Sequence, residues 1–381
     1  MQAELHNISS EVDEPNISEL CALATRGLVS MFDPVHGLFC HRLVRARQGL
    51  IRVGLSERYT IMTLLGLRKY EQAGGKSLFD TEAMYRAFIV NTRWIKSIGD
   101  FGLLMWLTAT FDPQQLAIRF PPRSLNDALD RYSDARRGAT MELSWFLAGL
   151  AHAGLACPSL IPQLRDTVES VYHRLEQNQG DSGLFGHLSA NGSVAGVIRG
   201  RIGSFADQIY PVYALSKLAQ SFDVREPLQK ARKCASALCE TQGSLGQWWW
   251  LYESRTGKVM SRYPAYSVHQ HGMAPMGLLA LQEVSGQSFK EHIDKGLAWI
   301  YGKNELQTDL RDHSQNVIWR CIRHKKGRQK FVIMFRNSIG LPSENSSIQD
   351  LEILFEDWPY ELGWLLYAFA EGCANRSEPC L

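Results

Sequence analysis

The chain has 381 residues, 45% of them hydrophobic, with a formal net charge of +2 and a pI near 8.1. That apolar mass suits one large domain or two or three smaller ones, and the near-balanced charge removes the electrostatic case for nucleic acid as a main partner. The longest apolar stretches, Phe101 to Phe111 and Leu143 to Cys157, are too short or too interrupted to span a bilayer, and Met1 to Asn16 carries Glu4, Glu11, Asp13 and Glu14 where a signal peptide has an apolar run.

Eight cysteines are scattered without a C-x-x-C pair, so free thiols are expected rather than a disulfide framework. The sequons at Asn7, Asn16, Asn191, Asn345 and Asn375 are read as chance. The expectation is a cytoplasmic protein with a flexible tail over 1–16, one domain over 17–373 and a C-terminal tail over 374–381.

In chain order, two kinds of helix alternate. Segments amphipathic and charged on one side are Ile17 to Met31, Thr81 to Lys96, Ser124 to Arg131, Leu160 to Gln177, Arg225 to Thr241 and Phe289 to Tyr301. Segments richer in Gly, Ala, Leu and aromatics are Arg58 to Tyr70, Phe101 to Phe111, Thr140 to Gly154, Phe205 to Gln220, Gly272 to Val284 and Tyr360 to Glu371. The first kind belongs outside and the second inside. Six such hairpins in a ring make an all-α (α/α)6 toroid around a central cavity. Strand-type alternation is scarce: Phe331 to Phe335 is the one β run expected, within an irregular or β-like insertion near 320–350.

A short motif recurs between helices. Gln179-Gly180-Asp181-Ser182-Gly183-Leu184-Phe185 returns as Gln242-Gly243-Ser244-Leu245-Gly246-Gln247-Trp248, and Asp33-Pro34-Val35-His36-Gly37-Leu38-Phe39 is a looser copy. Pro211, Pro275 and Pro359 stand near the starts of three inner helices, where a missing N–H costs nothing. Alignment on these prolines matches Asp207 with His271 and Tyr213 with Glu361, and gathers residues before inner-helix starts on one rim.

The Gln-x3-Gly-x-Trp/Phe unit resembles the end of the QW repeat of triterpene cyclases. The alternating layout resembles the wider toroid superfamily: terpenoid cyclases and protein prenyltransferases, six-hairpin glycosidases and lyases, and acylglucosamine 2-epimerase-like enzymes. The first resemblance implies that Gln179, Gln242 and Trp248 brace outer-helix ends and do no chemistry. The epimerase comparison implies polar His and Glu residues on successive inner helices, here His269, His271 and Glu361.

The candidate catalytic residues are Asp207, His271, His269, Glu142 and Glu361. Asp207 is read as a rim acid or base, with an N-cap as the competing role. His-x-His at 269 and 271 suits a proton shuttle better than a metal, since no third ligand stands at a recognisable spacing. Candidate substrate contacts are Arg58, Tyr59, Tyr210, Tyr213, Trp249, Tyr266, Gln270 and Trp364. Trp145 joins Glu142 on the third inner helix, and Arg58 with Arg137 could hold an anionic group. In Trp248-Trp249-Trp250 an extended backbone turns Trp249 away from its neighbours. The run Arg320 to Lys330 is a solvated turn, with contact to an anionic membrane surface or lipid phosphate as the minority reading. Ser338 to Asp350 reads as a loop or lid.

A Walker-type loop, a Gly-x-Gly-x-x-Gly fingerprint, the D-x-D-D and D-D-x-x-D motifs of terpenoid chemistry and the zinc signature of lanthionine cyclases are all missing. No cofactor is expected. Three functions follow: acid–base chemistry on a carbohydrate (hydrolase, lyase or epimerase), an isoprenoid cyclase or transferase, and a non-catalytic toroid that binds glycan or protein. The partner is a small-molecule, glycan or isoprenoid substrate.

Overall fold

A computed structural model describes residues 15–132, 139–188, 200–325 and 347–374. The expected β run Phe331 to Phe335, Arg137, most of the expected lid and residues 326–330 of the basic run lie outside them.

The outer helices are α1 (Ile17–Met31), α3 (Thr81–Phe88), α5 (Pro122–Tyr132), α7 (Ile161–Glu176), α9 (Arg225–Glu240) and α11 (Lys290–Ile300). The inner helices are α2 (Glu57–Gln72), α4 (Ile98–Phe111), α6 (Thr140–Ala156), α8 (Ala206–Phe222), α10 (Ala274–Ser285) and α12 (Pro359–Ala374). Each inner helix packs on the next, and α12 packs back on α2, so the ring closes.

Local chemistry starts several of these helices. Asn16, Ser56, Asp80 and Ser97 each accept a backbone N–H three residues on. Small residues then let inner helices touch. A Cβ on Gly66 would meet the carbonyl oxygen of Gly363 at 2.0 Å, and one on Gly149 would meet that of Gly102 at 2.4 Å.

Four small antiparallel sheets occupy connections from an outer helix to the next inner one. Their strands are β1 (Phe32–Asp33), β2 (Leu38–Ala46), β3 (Gly49–Leu55), β4 (Ile202–Ser204), β5 (Leu251–Glu253), β6 (Val259–Ser261), β7 (Ala265–Tyr266), β8 (Arg311–Asp312), β9 (Val317–Ile318), β10 (Cys321–His324), β11 (Leu351–Leu354) and β12 (Glu356–Asp357). The β2–β3 hairpin corrects the expectation that strands are scarce. Its register pairs Arg42 with Val53 and Arg45 with Leu50 around a tight two-residue turn at Arg47-Gln48. Near 320–350 the β-like expectation is met by β10, which pairs with both β7 and β11.

One further expectation is corrected. Cys21 of α1 and Cys373 of α12 form a disulfide, so not all cysteines are free thiols. Among the described residues no single helix is long and apolar enough to cross a membrane.

The bore is plugged with rings. Trp106 stacks at 4.6 Å on His152, 5.0 Å on Tyr213 and 5.6 Å on Trp364. This plug separates a first cavity, at the N-terminal ends of the inner helices, from a second at their C-terminal ends.

Candidate active site

Four outer-to-inner connections open with one turn design. Gly37, Gly183, Gly246 and Asn316 all have positive φ, at 67°, 93°, 95° and 53°. Asn316 is the residue that hides the fourth copy, Asp312 to Ile318, from a search for glycine; a short polar side chain tolerates the left-handed region. Two residues on stand Phe39, Phe185, Trp248 and Ile318, each at most 1% exposed.

Each of these four N–H groups donates to a side chain in the first turn of the next inner helix or just before it. Phe39 donates to Thr60 Oγ1 (3.0 Å), Phe185 to Gln208 Oε1 (2.6 Å), Trp248 to Gln270 Oε1 (3.3 Å) and Ile318 to Asp357 Oδ2 (3.0 Å). Gln179 and Gln242 tie the second and third copies outward. The Gln179 amide donates to Lys230 O on α9 (3.1 Å), and that of Gln242 to His292 O on α11 (2.9 Å).

These bonds correct the proline alignment. They match Gln208 with Gln270, and therefore Asp207 with His269 rather than with His271. A π-helical turn over His269–Met273 moves Pro275 two positions farther from its glutamine than Pro211 is. His271 is fully buried, neither ring nitrogen has a hydrogen-bond partner among the described residues, and burial lowers its pKa to about 3.

Two residues beyond each buried anchor, the shared register delivers His41, His187, Trp250 and Arg320 to the same end of the ring. Trp250 and Arg320 line the first cavity. His41 packs at 5.2 Å on Tyr59 and 4.6 Å on Trp358, both in its wall. His187 Nδ1 lies 3.1 Å from Asp207 Oδ2.

The first cavity has a volume of about 260 Å³ and is walled by aromatic rings and two arginines. The Arg320 guanidinium lies 3.4 Å over Trp358 and 4.9 Å over Tyr266, and pairs with buried Glu361. Arg320 thus turns inward, which corrects its reading as part of a solvated turn. Arg323 pairs with Glu352 and Lys325 donates to Gln349 O, so the described cations of that run have protein partners.

Arg58, 5.1 Å over Trp145, donates to Asp100 at 2.8 Å and lies 4.0 Å from Glu142. Burial raises the Glu142 pKa, outweighing Arg58 and a hydrogen bond from Ser97. Asp207 accepts from Ser204 N (2.9 Å), Ser204 Oγ (2.9 Å) and Met141 N (3.2 Å) and is 1% exposed. Its partner His187, 49% exposed at the side chain, has its pKa raised by that hydrogen bond. His269 lines the cavity with Nδ1 3.5 Å from Trp248 O, and burial lowers its pKa to about 3.

Of the sequence candidates, Arg58, Tyr59, Trp145, Tyr210, Tyr266 and His269 line this cavity. Glu142, Asp207 and Glu361 stand directly behind the lining. Trp364 lies beneath it and donates to Tyr210 Oη at 2.9 Å. Gln270 spends its amide on the Trp248 and Tyr266 backbones. Trp249 packs against Tyr263, and Tyr213 faces the second cavity. Sequence reading passed over Arg320, Trp358, Tyr360, Trp250, Asp100 and His187; for Arg320, Trp250 and His187 the repeat register held the signal. Among the described residues no three His, Cys, Asp or Glu side chains cluster as metal ligands.

No family model matches the chain, and no curated protein matches it in sequence. Its structure is similar to the unsaturated glucuronyl hydrolase of Bacillus sp. GL1, with 14% identity, a TM-score of 0.59, and coverage of 94% of this chain and 96% of that one. It is also similar to an unsaturated glucuronyl hydrolase specific for heparin (13% identity, TM-score 0.58, 94% and 97% covered). A glycosyl hydrolase family 88 protein from Bacteroides vulgatus is a third (12% identity, TM-score 0.58, 93% and 99% covered). At these identities the likeness shows the toroid fold.

Proposed function

We propose that this chain is a carbohydrate-active enzyme that holds an acidic sugar in the first cavity and acts on it by acid–base chemistry, hydrolysis first among the reactions. The observation that carries this reading is the Arg320 guanidinium, fixed over Trp358 in a wall that also holds Tyr59, Trp145, Trp250, Tyr266 and Tyr360. Rings offer faces to a pyranose, and a guanidinium matches a carboxylate. The volume of about 260 Å³ is just below the ~300–1,000 Å³ of sites for drug-sized ligands and suits a single sugar residue. The N-terminal ends of several inner helices converge on this mouth and add positive potential.

Glu142 is the proposed general acid, since its raised pKa favours the protonated form. A bond from His269 Nδ1–H to the Trp248 carbonyl leaves Nε2 as an acceptor for a sugar hydroxyl or a water. Buried Asp207 orients His187 as a second proton-transfer group. Glycosidases use paired acid and base groups in this way.

The fold neighbours named for unsaturated glucuronyl sugars make those compounds the first to assay. The isoprenoid reading fits less well, because two arginines, Ser204 and His269 interrupt the apolar wall a hydrocarbon needs. The test compares binding and turnover of an unsaturated glucuronyl disaccharide, a saturated uronide and a neutral disaccharide. Acidic sugars should bind and at least one should turn over. Binding without turnover of any would favour a glycan-binding toroid; equal binding of the neutral sugar would remove the role of Arg320.

A further inference from the structure

The second cavity is a separate chamber at the opposite mouth of the ring, with a volume of about 540 Å³. It lies between the C-terminal halves of α2, α8, α10 and α12. Its floor is hydroxylated: Tyr213 and Tyr367 share a 2.6 Å hydrogen bond, and Tyr213 Oη is 2.7 Å from His152 Nε2. Met276, Leu279 and Phe369 form an apolar side.

Its charges are unevenly matched. Lys217 Nζ lies 2.7 Å from Glu283 and 3.0 Å from Gln220. Lys69 has no ion-pair partner among the described residues; its Nζ stands 4.5 Å over the Tyr367 ring. Glu283 and Glu371 act on Lys69 only at longer range, and burial with the neighbouring Lys217 lowers its pKa. Lys69 is half-buried; an ammonium partly withdrawn from water without a close counter-ion loses hydration, and an anion arriving beside it recovers part of that loss.

We infer that the second cavity is a ligand site for a small carboxylic acid with a compact apolar body. The carboxylate lies between Lys69 and the Tyr213–Tyr367 hydroxyls, and the apolar body lies against Leu279, Met276 and Phe369. The volume falls within the ~300–1,000 Å³ typical of small-molecule sites. This inference stands apart from the reading of the first cavity, since only the aromatic plug is shared.

The test titrates benzoate, with uncharged benzamide as control, into the full-length protein by calorimetry. Wild type should bind benzoate saturably with a Kd near ~1 mM and benzamide at least about tenfold more weakly. Lys69→Met should weaken benzoate about tenfold or more and Lys69→Arg should retain it. Ala280→Phe, which fills the chamber from α10, should abolish binding. Thermal melts confirm that each variant is folded. A saturating acidic sugar should leave the benzoate isotherm in place; displacement would put benzoate in the first cavity and overturn the inference. Absent wild-type binding, or equal binding by folded Lys69→Met, would reduce Lys69 to a partner of the α2 C-terminal dipole.

Discussion

At the scale of single residues, the first cavity combines a buried ion pair with a half-buried acid, and the two respond to pH differently. Burial pushes the Glu361 carboxyl up to about 7 against the pull of Arg320. A carboxyl with a folded value above its unfolded one makes the fold bind more protons than the open chain. Its contribution to stability is therefore fullest below the unfolded value and declines as pH rises through about 7. Arg320→Met should cost about 3–5 kcal/mol at ~pH 8, because Glu361 is left buried and charged. The loss should shrink near ~pH 5, where Glu361 takes a proton. Urea unfolding at both pH values checks this, and an unchanged loss would show that Glu361 is not the group responsible. Glu142 is tested by kinetics. Glu142→Gln should lower kcat by about 10²–10⁴-fold with little change in KM. Wild-type activity should fall as pH rises past the elevated Glu142 pKa, since the acid form is the working one. That alkaline limb should vanish in the variant's residual rate.

At the scale of elements, the recurring turn is both brace and pointer. Gln242 holds the carbonyls of Gly246 and His292, at 2.9 Å each. Gln242→Ala should therefore cost about 1–3 kcal/mol. Gly246→Ala should cost more, about 3 kcal/mol or above, because φ is 95° and the new Cβ would meet Lys295 O at 2.1 Å. Denaturant midpoints measure both losses, and kcat at low temperature should stay near wild type, since neither residue touches the first cavity. The helices were legible because burial imposes a 3.6-residue period: α4 is apolar nearly all round, and α9 carries its charges on one side. The β2–β3 hairpin was not, because its arginines dilute the alternation. Prolines misled the register, since a π turn inserts residues without breaking the helix. Hydrogen bonds from Gln208 and Gln270 restore it. Arg320 was hidden in a basic run that composition assigns to solvent, whereas its position after Asn316 assigns it to the cavity.

At the scale of the whole molecule, the ring has a seam. Among the described residues α1 is the first helix and α12 the last, and the two pack together without a loop that joins them. The Cys21–Cys373 disulfide crosses that seam, joining residues 352 positions apart. A crosslink closing so long a loop restricts the unfolded chain strongly, and its loss from a single domain is expected to cost about 2–5 kcal/mol. Cys21 is 1% exposed, so reduction should be slow in the folded state and rapid after partial opening of α1. The prediction is that a reductant, or Cys21→Ser, lowers the thermal midpoint by several degrees while leaving ligand binding in the first cavity intact below the transition. Intact mass after alkylation of the unfolded chain reports the pair directly: prior reduction should add two alkyl groups, at Cys21 and Cys373. A cytoplasmic setting would keep the pair reduced and leave the seam to packing alone, whereas an oxidising one would keep it closed. Full alkylation of Cys21 and Cys373 without prior reduction, in protein isolated under thiol-trapping conditions, would assign the ring's closure to the apolar contact of α1 with α12.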